Sequence, residues 1–441
     1  MKTLALLLAL PLAAMAAPLD KTLDAMLTAR FKPTLPGVAA LVLKDGRPVL
    51  RTAHGMASLE LGVPLKPSHV FRIGSTTKLF AATALMLLVE EGKVALDAPV
   101  SRYLPDTPPH WQGVTIEHLL THTSGIPNMT MVSGYWRTTA RLDHTLAELL
   151  APVRDQALEF DPGTRFVYNN SGYVLLAMVI EKVSGQEFFD FVHTRISAPL
   201  GLAHTGSGSS KAITPGLVTG YQRGPSPERF IAAVNLSAAG GMVSTVDDLG
   251  KFMLALQQHK LLGKKSVERM NTPYVLANGE ATEYGLGMWI RTVNGHKLVG
   301  HGGYIHNFYS QLEMDIDASI VAITLHNGDR FGGDNEYLSK RMIAAVQGKP
   351  IPDPVPATLT AEQLARLAGT YGAQVVRIED GKLTRLAGGH KTVLVPSSPT
   401  TFFDPDGELR LRFVLADGRA ASIQRYEDGG KAGPVLTRSA E

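Results

Sequence analysis

The chain has 441 residues, 44% of them hydrophobic and 19% charged, enough for more than one globular domain with a sizeable core. A formal net charge of +3 gives no electrostatic case for a nucleic-acid partner. With no cysteine, disulfides, thiolate catalysis and Cys-ligated metal are excluded.

Residues 1–16 (MKTLALLLALPLAAMA) hold one lysine, an apolar run and small residues at the end, which reads as a secretory signal peptide cleaved after Ala16. The mature protein is therefore expected to be secreted or periplasmic, with no stable membrane span after processing. Next, Val38–Leu43 and Pro48–Ala53 flank Asp45-Gly46, a hairpin signal.

The stretch Phe71–Lys78, FRIGSTTK, enters an apolar run free of Pro and Gly until Gly92, the pattern of a buried helix. Ser75 and Lys78 are three residues apart, one turn on the same face. One reading is a capping serine followed by an ordinary lysine. The other is a nucleophile: a serine hydroxyl needs a base, and Lys78 can be that base if burial keeps it neutral.

Thr115–Thr123 reads as a second helix, with His118 and His122 at i,i+4. The zinc-protease pattern H-E-x-x-H is absent, so hydrogen bonding at the helix end is expected there and no metal site. A polar loop, Asn128–Arg137, leads to Phe160–Tyr173 (FDPGTRFVYNNSGY) and then an apolar helix to Val183 starting near Asn170 or Ser171. Asn170 is either the cap of that helix or a polar group delivered to a cleft. Ser207–Pro227 reads as loop, and Ser244 as the cap of a helix running to Phe252.

Tyr284–Val293 and His296–Val299 flank Asn294-Gly295, another hairpin, followed by Gly300-His301-Gly302-Gly303 and runs at Asn307–Met314 and Ile320–His326. Arg341–Val346 would close the region as a helix. Strands at both ends with helices between predict one α/β domain: a sheet built from the two ends, with an inserted helical lobe. Residues 349–356 (KPIPDPVP) form a Pro-rich linker. Beyond it, Asp380-Gly381, Asp406-Gly407 and Asp417-Gly418 separate short alternating runs, predicting a small antiparallel β-sheet or barrel domain over 357–441. There Leu409, Leu411, Phe413 and Leu415 should face one way and Arg410 and Arg412 the other.

Ser75-x-x-Lys78, Tyr168-Asn169-Asn170 and His301-Gly302-Gly303 occur in that order, accompanied by LLTHTSGIPN at Leu119–Asn128 and AAGGMVSTVDDL at Ala238–Leu249. Together they resemble the serine β-lactamase-like hydrolases, in the branch of class C β-lactamases, D-Ala-D-Ala carboxypeptidases, D-aminopeptidases and family VIII esterases. The resemblance covers roughly residues 19–348. It implies a β-lactamase/transpeptidase-like fold over residues 17–348. It also implies an acyl-enzyme on Ser75, proton transfer shared by Lys78 and Tyr168, and Asn170 bonded to Lys78 and substrate. The backbone N–H groups of Ser75 and Tyr304 would form the oxyanion hole, lined by Gly302 and Gly303. Many lactamases have Lys-Thr where this chain has His301-Gly302. His301 would anchor a substrate carboxylate only around or below its reference pKa of about 6.5.

The sequence thus points to an exported serine hydrolase of a small molecule or short peptide, cleaving an amide or ester without a cofactor. D-amino-acid peptides, β-lactams and small acyl esters are the substrate classes. The alternatives are a carboxylesterase with little peptidase activity and a non-catalytic binder of cell-wall peptides. A zinc hydrolase built on His118 and His122 lacks further ligands. Nothing in the sequence sets the oligomeric state.

Overall fold

The computed structural model describes residues 18–222, 232–328, 334–388, 390–404, 409–426 and 432–439. The leader, residues 1–16, and the Asp406-Gly407 turn lie outside the described residues.

Helix α1 (Leu19–Thr28) precedes a hairpin of β1 (Val38–Lys44) and β2 (Arg47–His54). Short strands β3 (Met56–Ser58), β4 (Val63–Pro64) and β5 (Phe71–Arg72) follow. A 3-10 turn, Gly74–Thr76, opens α2 (Thr77–Glu90). The inserted lobe holds α3 (Ile116–Leu120), α4 (Leu146–Arg154), α5 (Asn170–Ser184) and α6 (Phe188–Val192). Strands β6 (Gly206–Ser207) and β7 (Met242–Ser244) complete a three-stranded sheet with β5. Helices α7 (Val246–Gln257) and α8 (Lys264–Met270) lead back to β8 (Trp289–Val293), β9 (His296–Ile305), β10 (Phe308–Asp315), β11 (Ile320–His326) and α9 (Asp334–Val346).

The main sheet has the order β2-β1-β11-β10-β9-β8, every neighbouring pair antiparallel. β1 is buried on both faces because its side chains alternate between two cores. Val38, Ala40 and Val42 pack toward α1 and α9, whereas Ala39, Leu41 and Leu43 pack toward α2 and α7. Twelve of the fourteen residues of α2 are buried, so the helix has no solvent face. Each of its buried Leu, Phe and Met side chains contributes about 1.5–3 kcal/mol. The hairpin turns Asp45-Gly46, Asn294-Gly295, Asp380-Gly381 and Asp417-Gly418 all have positive φ at both residues, the type I′ geometry that matches strand twist.

Beyond the linker, α10 (Ala361–Ala365) abuts eight strands that pair in chain order. They are β12 (Gly369–Tyr371), β13 (Gln374–Glu379), β14 (Lys382–Ala387), β15 (His390–Pro396), β16 (Thr401–Phe403), β17 (Arg410–Ala416), β18 (Arg419–Tyr426) and β19 (Val435–Thr437). A bridge between Tyr371 and Arg438 brings the two ends together, so the sheet nearly closes into a barrel.

The structure corrects several local expectations. α3 ends at Leu120 and His122 has φ +59°, so His118 and His122 do not share a helical face. The cap of α5 is Asn169, whose side chain accepts the Gly172 N–H, rather than Asn170 or Ser171. The cap of α7 is Thr245; Ser244 ends β7 with its hydroxyl 2.7 Å from that of Thr205. β9 continues to Ile305, so Gly300–Gly303 lie within the strand. In β17 the predicted alternation holds for Leu411 and Phe413 but fails at Leu415, which is exposed after a register shift at Val414. Arg410 does not face solvent: it is buried, donates to the Tyr337 hydroxyl of α9 at 2.5 Å and covers that ring at 4.7 Å. That contact ties the barrel to the larger domain.

Candidate active site

Ser75 sits in the 3-10 turn ahead of α2, held against β9 and β10. Gly74 has φ +49°, and a Cβ there would lie 2.9–3.0 Å from backbone atoms of Tyr304. Only glycine allows this approach without strain. A Cβ on Gly303 would fall 2.1 Å from the Ile73 carbonyl and 3.0 Å from the Ser75 nitrogen. The backbone N–H groups of Ser75 and Tyr304 therefore belong to segments in close contact. Ser310 Oγ donates to the Ile73 carbonyl at 2.7 Å and lies 2.7 Å from Thr76 Oγ1, which fixes the turn to β10.

Lys78, on the next turn, is fully buried. Its Nζ lies 3.2 Å from Ser75 Oγ, 2.9 Å from Asn170 Oδ1 and 2.7 Å from the Ala239 carbonyl. Burial pushes its pKa well below the ordinary ammonium value. A neutral amine has two hydrogens and one lone pair. The Asn170 and Ala239 oxygens take the hydrogens, and the lone pair faces the serine hydroxyl. The rings of Tyr168 and Tyr173 lie 4.8 and 5.2 Å from Nζ. Their faces favour the cation by about 2 kcal/mol each when desolvated, which offsets part of the several kcal/mol that a buried charge without a carboxylate partner costs.

Asn170 is the first residue of α5 rather than its cap. Its Oδ1 holds Lys78, its Nδ2 donates to Thr130 Oγ1 at 3.1 Å, and its N–H donates to Asn128 Oδ1 at 3.3 Å. The second Nδ2 hydrogen is left for a substrate oxygen. The Tyr168 hydroxyl is buried and makes no hydrogen bond of ordinary geometry. Burial raises its pKa, and the facing Ser75 hydroxyl opposes that shift. The Tyr168 ring is parallel to Trp289 at 6.5 Å and packs on His122 at 4.2 Å.

The expectation that His301 anchors a substrate carboxylate is corrected. The side chain is buried, its Nδ1 donates to the Gly302 carbonyl at 2.5 Å, and its Nε2 accepts from the Tyr284 hydroxyl at 2.9 Å. Burial and the nearby Lys78 bring its pKa down to about 3, so it is neutral at physiological pH. Its carbonyl, by contrast, receives the Thr76 hydroxyl at 3.3 Å. Gly302 is constrained by Gln311, whose Oε1 would lie 2.4 Å from an added Cβ.

Sequence reasoning missed the groups that support this centre. The Ala239 carbonyl, Thr130 and Asn128 reach it from other segments; Ala239 and Asn128 lie in the AAGGMVSTVDDL and LLTHTSGIPN stretches, to which no role at the site was assigned. His122 was expected only to hydrogen-bond at a helix end; its Nδ1 accepts the Asn169 N–H at 3.0 Å, and its ring also packs among Tyr168, Tyr173 and Tyr284. His118 instead closes the Thr115 cap, accepting that residue's N–H at 3.2 Å. Among the described residues no group of three or more His, Asp or Glu could hold a metal ion, and no helix is long and apolar enough to cross a membrane.

Comparison with known proteins gives the family and the fold. Residues 19–347 match the family model described as Beta-lactamase. The chain is 30% identical to Penicillin-binding protein 4* of Bacillus subtilis, over 90% of this chain and 94% of that protein. It is 36% identical to Esterase EstB of Burkholderia gladioli, over 44% of this chain and 52% of the esterase. An octameric penicillin-binding protein homologue from Pyrococcus abyssi superposes with a TM-score of 0.68 at 27% identity, covering 96% of this chain and 98% of that one. The D-amino acid amidase of Ochrobactrum anthropi superposes with a TM-score of 0.64 at 26% identity, covering 75% and 99%.

Proposed function

This chain belongs to the beta-lactamase family of serine hydrolases, and we propose that it is an exported member that cleaves a small amide or ester through an acyl-Ser75 intermediate. One observation carries the reading: a fully buried lysine, without a carboxylate partner among the described residues, has its Nζ 3.2 Å from a serine hydroxyl.

In acylation, Ser75 Oγ attacks the substrate carbonyl as its proton passes to Lys78 Nζ. Burial shifts the two candidate bases in opposite directions, lowering Lys78 and raising Tyr168. These directions favour the amine as the base and the phenol as the proton donor. The carbonyl oxygen becomes an oxyanion held by the N–H groups of Ser75 and Tyr304, donors of a kind worth about 3 kcal/mol each. Collapse breaks the bond to the leaving group, which takes a proton from the Tyr168 hydroxyl, itself resupplied by Lys78. Water then attacks the acyl carbon by the reverse relay, and Ser75 regains its proton.

A neutral His301 supplies no cation for a substrate carboxylate. Esters and amides without a carboxylate on the leaving group are accordingly preferred over β-lactams and peptides with a free C-terminus. The test is intact-mass analysis after exposure to a nitrophenyl ester, a penicillin and a D-Ala-D-Ala peptide. The wild type should show turnover or an adduct with the ester above the other two, and Ser75→Ala neither. Ser75-independent turnover would overturn the assignment. Export rests on the leader composition of residues 1–16. N-terminal sequencing of protein from the periplasm or medium should begin at Ala17, and a retained Met1 would reject it.

A further inference from the structure

We propose that the acyl part of the substrate carries an aromatic ring, seated against Trp136 and Tyr304 at the mouth of the site. This rests on the acyl-Ser75 reading and adds a substrate class to it.

Strand β9 serves as a ruler across the cleft. His301 lies beside Tyr168, with ring centroids 6.1 Å apart. Gly303 abuts the Ser75 nitrogen. Tyr304 comes next, and His306 follows the end of the strand at Ile305. At about 3.3 Å per residue, Tyr304 is roughly 10 Å along from His301. Ser75 thus stands between a flank marked by Tyr168 and a flank marked by Tyr304 and His306. A leaving group must sit beside its proton donor, Tyr168. The part of the substrate that stays bonded to Ser75 therefore extends the other way.

That second flank is aromatic. Tyr304 is 53% exposed, directly after the glycines, with its ring 4.7 Å from Tyr309. Trp136 is 40% exposed, 5.1 Å from the His306 ring and backed edge-on by buried Tyr135 at 5.0 Å. Trp136 comes from the helical lobe and His306 from the sheet, so their contact bridges the two walls of the cleft. The loop bearing Trp136 is anchored near the reacting centre: Asn128 Oδ1 accepts the Asn170 N–H, and Thr130 Oγ1 accepts Asn170 Nδ2. The Asn170 that holds Lys78 also holds this loop. Large rings fixed in place but left partly in water gain by covering another ring, beyond simple area burial. The Tyr304 backbone meets the turn that carries Ser75, so a partner on that flank is taken as part of the substrate.

The test compares nitrophenyl esters sharing one leaving group, with acetyl, butyryl and 3-phenylpropionyl acyl groups. Acetate esters with methyl and benzyl alcohol parts are measured in parallel. The wild type should favour 3-phenylpropionyl over acetyl by roughly tenfold in kcat/KM, the size of one aromatic contact. Trp136→Ala should lower that ratio about fivefold, and Trp136→Phe should restore most of it. A wild-type ratio near one would sink the proposal, as would a larger response to the alcohol than to the acyl part. If these ratios are flat while turnover is lost in Ser75→Ala, only the aromatic subsite fails. If Ser75→Ala turns over the acetyl ester like the wild type, the acyl-serine reading fails first. The wild-type ratios stand even if the Trp136 variants fold poorly.

Discussion

Two buried polar centres lie within one domain and solve the same problem differently. At the first, Lys78 is enclosed with two carbonyl oxygens and a hydroxyl. At the second, under β8 and β10, Arg291 reaches Glu313 at 3.2 Å and Glu336 at 2.6 Å, and Lys340 reaches Glu336 at 2.7 Å. Burial pushes Glu336 up, but Arg291 and Lys340 outweigh it and hold the carboxyl below the ordinary range. Burial raises Glu313 to about 7, with Arg291 opposing. The comparison teaches that burial alone does not decide the charge of a lysine. Burial lowers Lys78, which meets only carbonyl and hydroxyl oxygens, whereas Lys340 lies against the Glu336 carboxylate, a partner that favours the ion.

The largest effect should come from giving the first centre the chemistry of the second. Asn170→Asp places a carboxylate where Oδ1 now sits 2.9 Å from Lys78. A neighbouring opposite charge raises a lysine by about 1–3 pKa units, and each unit costs tenfold in free base. Turnover at neutral pH should fall, by up to several hundredfold for a shift of about 3 units, and the acid limb of the kcat/KM profile should move to higher pH by about 1–3 units. An unmoved limb would break the comparison. Next, Glu336→Gln removes the carboxylate shared by Arg291 and Lys340. The loss should be about 3 kcal/mol in chemical denaturation, as for a broken buried pair, with the pH profile of turnover unchanged. The smallest effect concerns Glu313. Its folded pKa of about 7 stands above its unfolded value of about 4.3, so between them the folded state keeps a proton that the unfolded chain has lost. Stability should therefore decline as pH rises through that window, and Glu313→Gln should flatten the dependence of Tm on pH between 5 and 8.

Ser75 and Lys78 were legible because their relation is local: three residues and one helical turn. The sheet was legible from the hairpin dipeptides, whose left-handed φ values leave few residue choices. Asn170 was named, but its cap role belongs to Asn169, because the adjacent asparagines are equivalent to the eye. The Asn128 side chain selects the register by accepting the Asn170 N–H. His301 lies beside Tyr168, but an H-x-G string does not tell what its ring nitrogens meet, and Tyr284, seventeen residues away, claims one of them. The Ala239 carbonyl, 161 residues from Lys78, has no sequence signature because any residue supplies one. Arg410 looked like a solvent-facing alternate until Tyr337 covered it, a contact between domains that the pattern of one strand does not record.

The pairing of β1 with β11 has a consequence for how the molecule comes into being. Val38 finds its partner at His326. The first long strand of the chain must remain without that neighbour until nearly three hundred further residues have been synthesised, and such distant contacts make folding slow. The enzyme is therefore built last at its centre, after both ends of the domain have emerged.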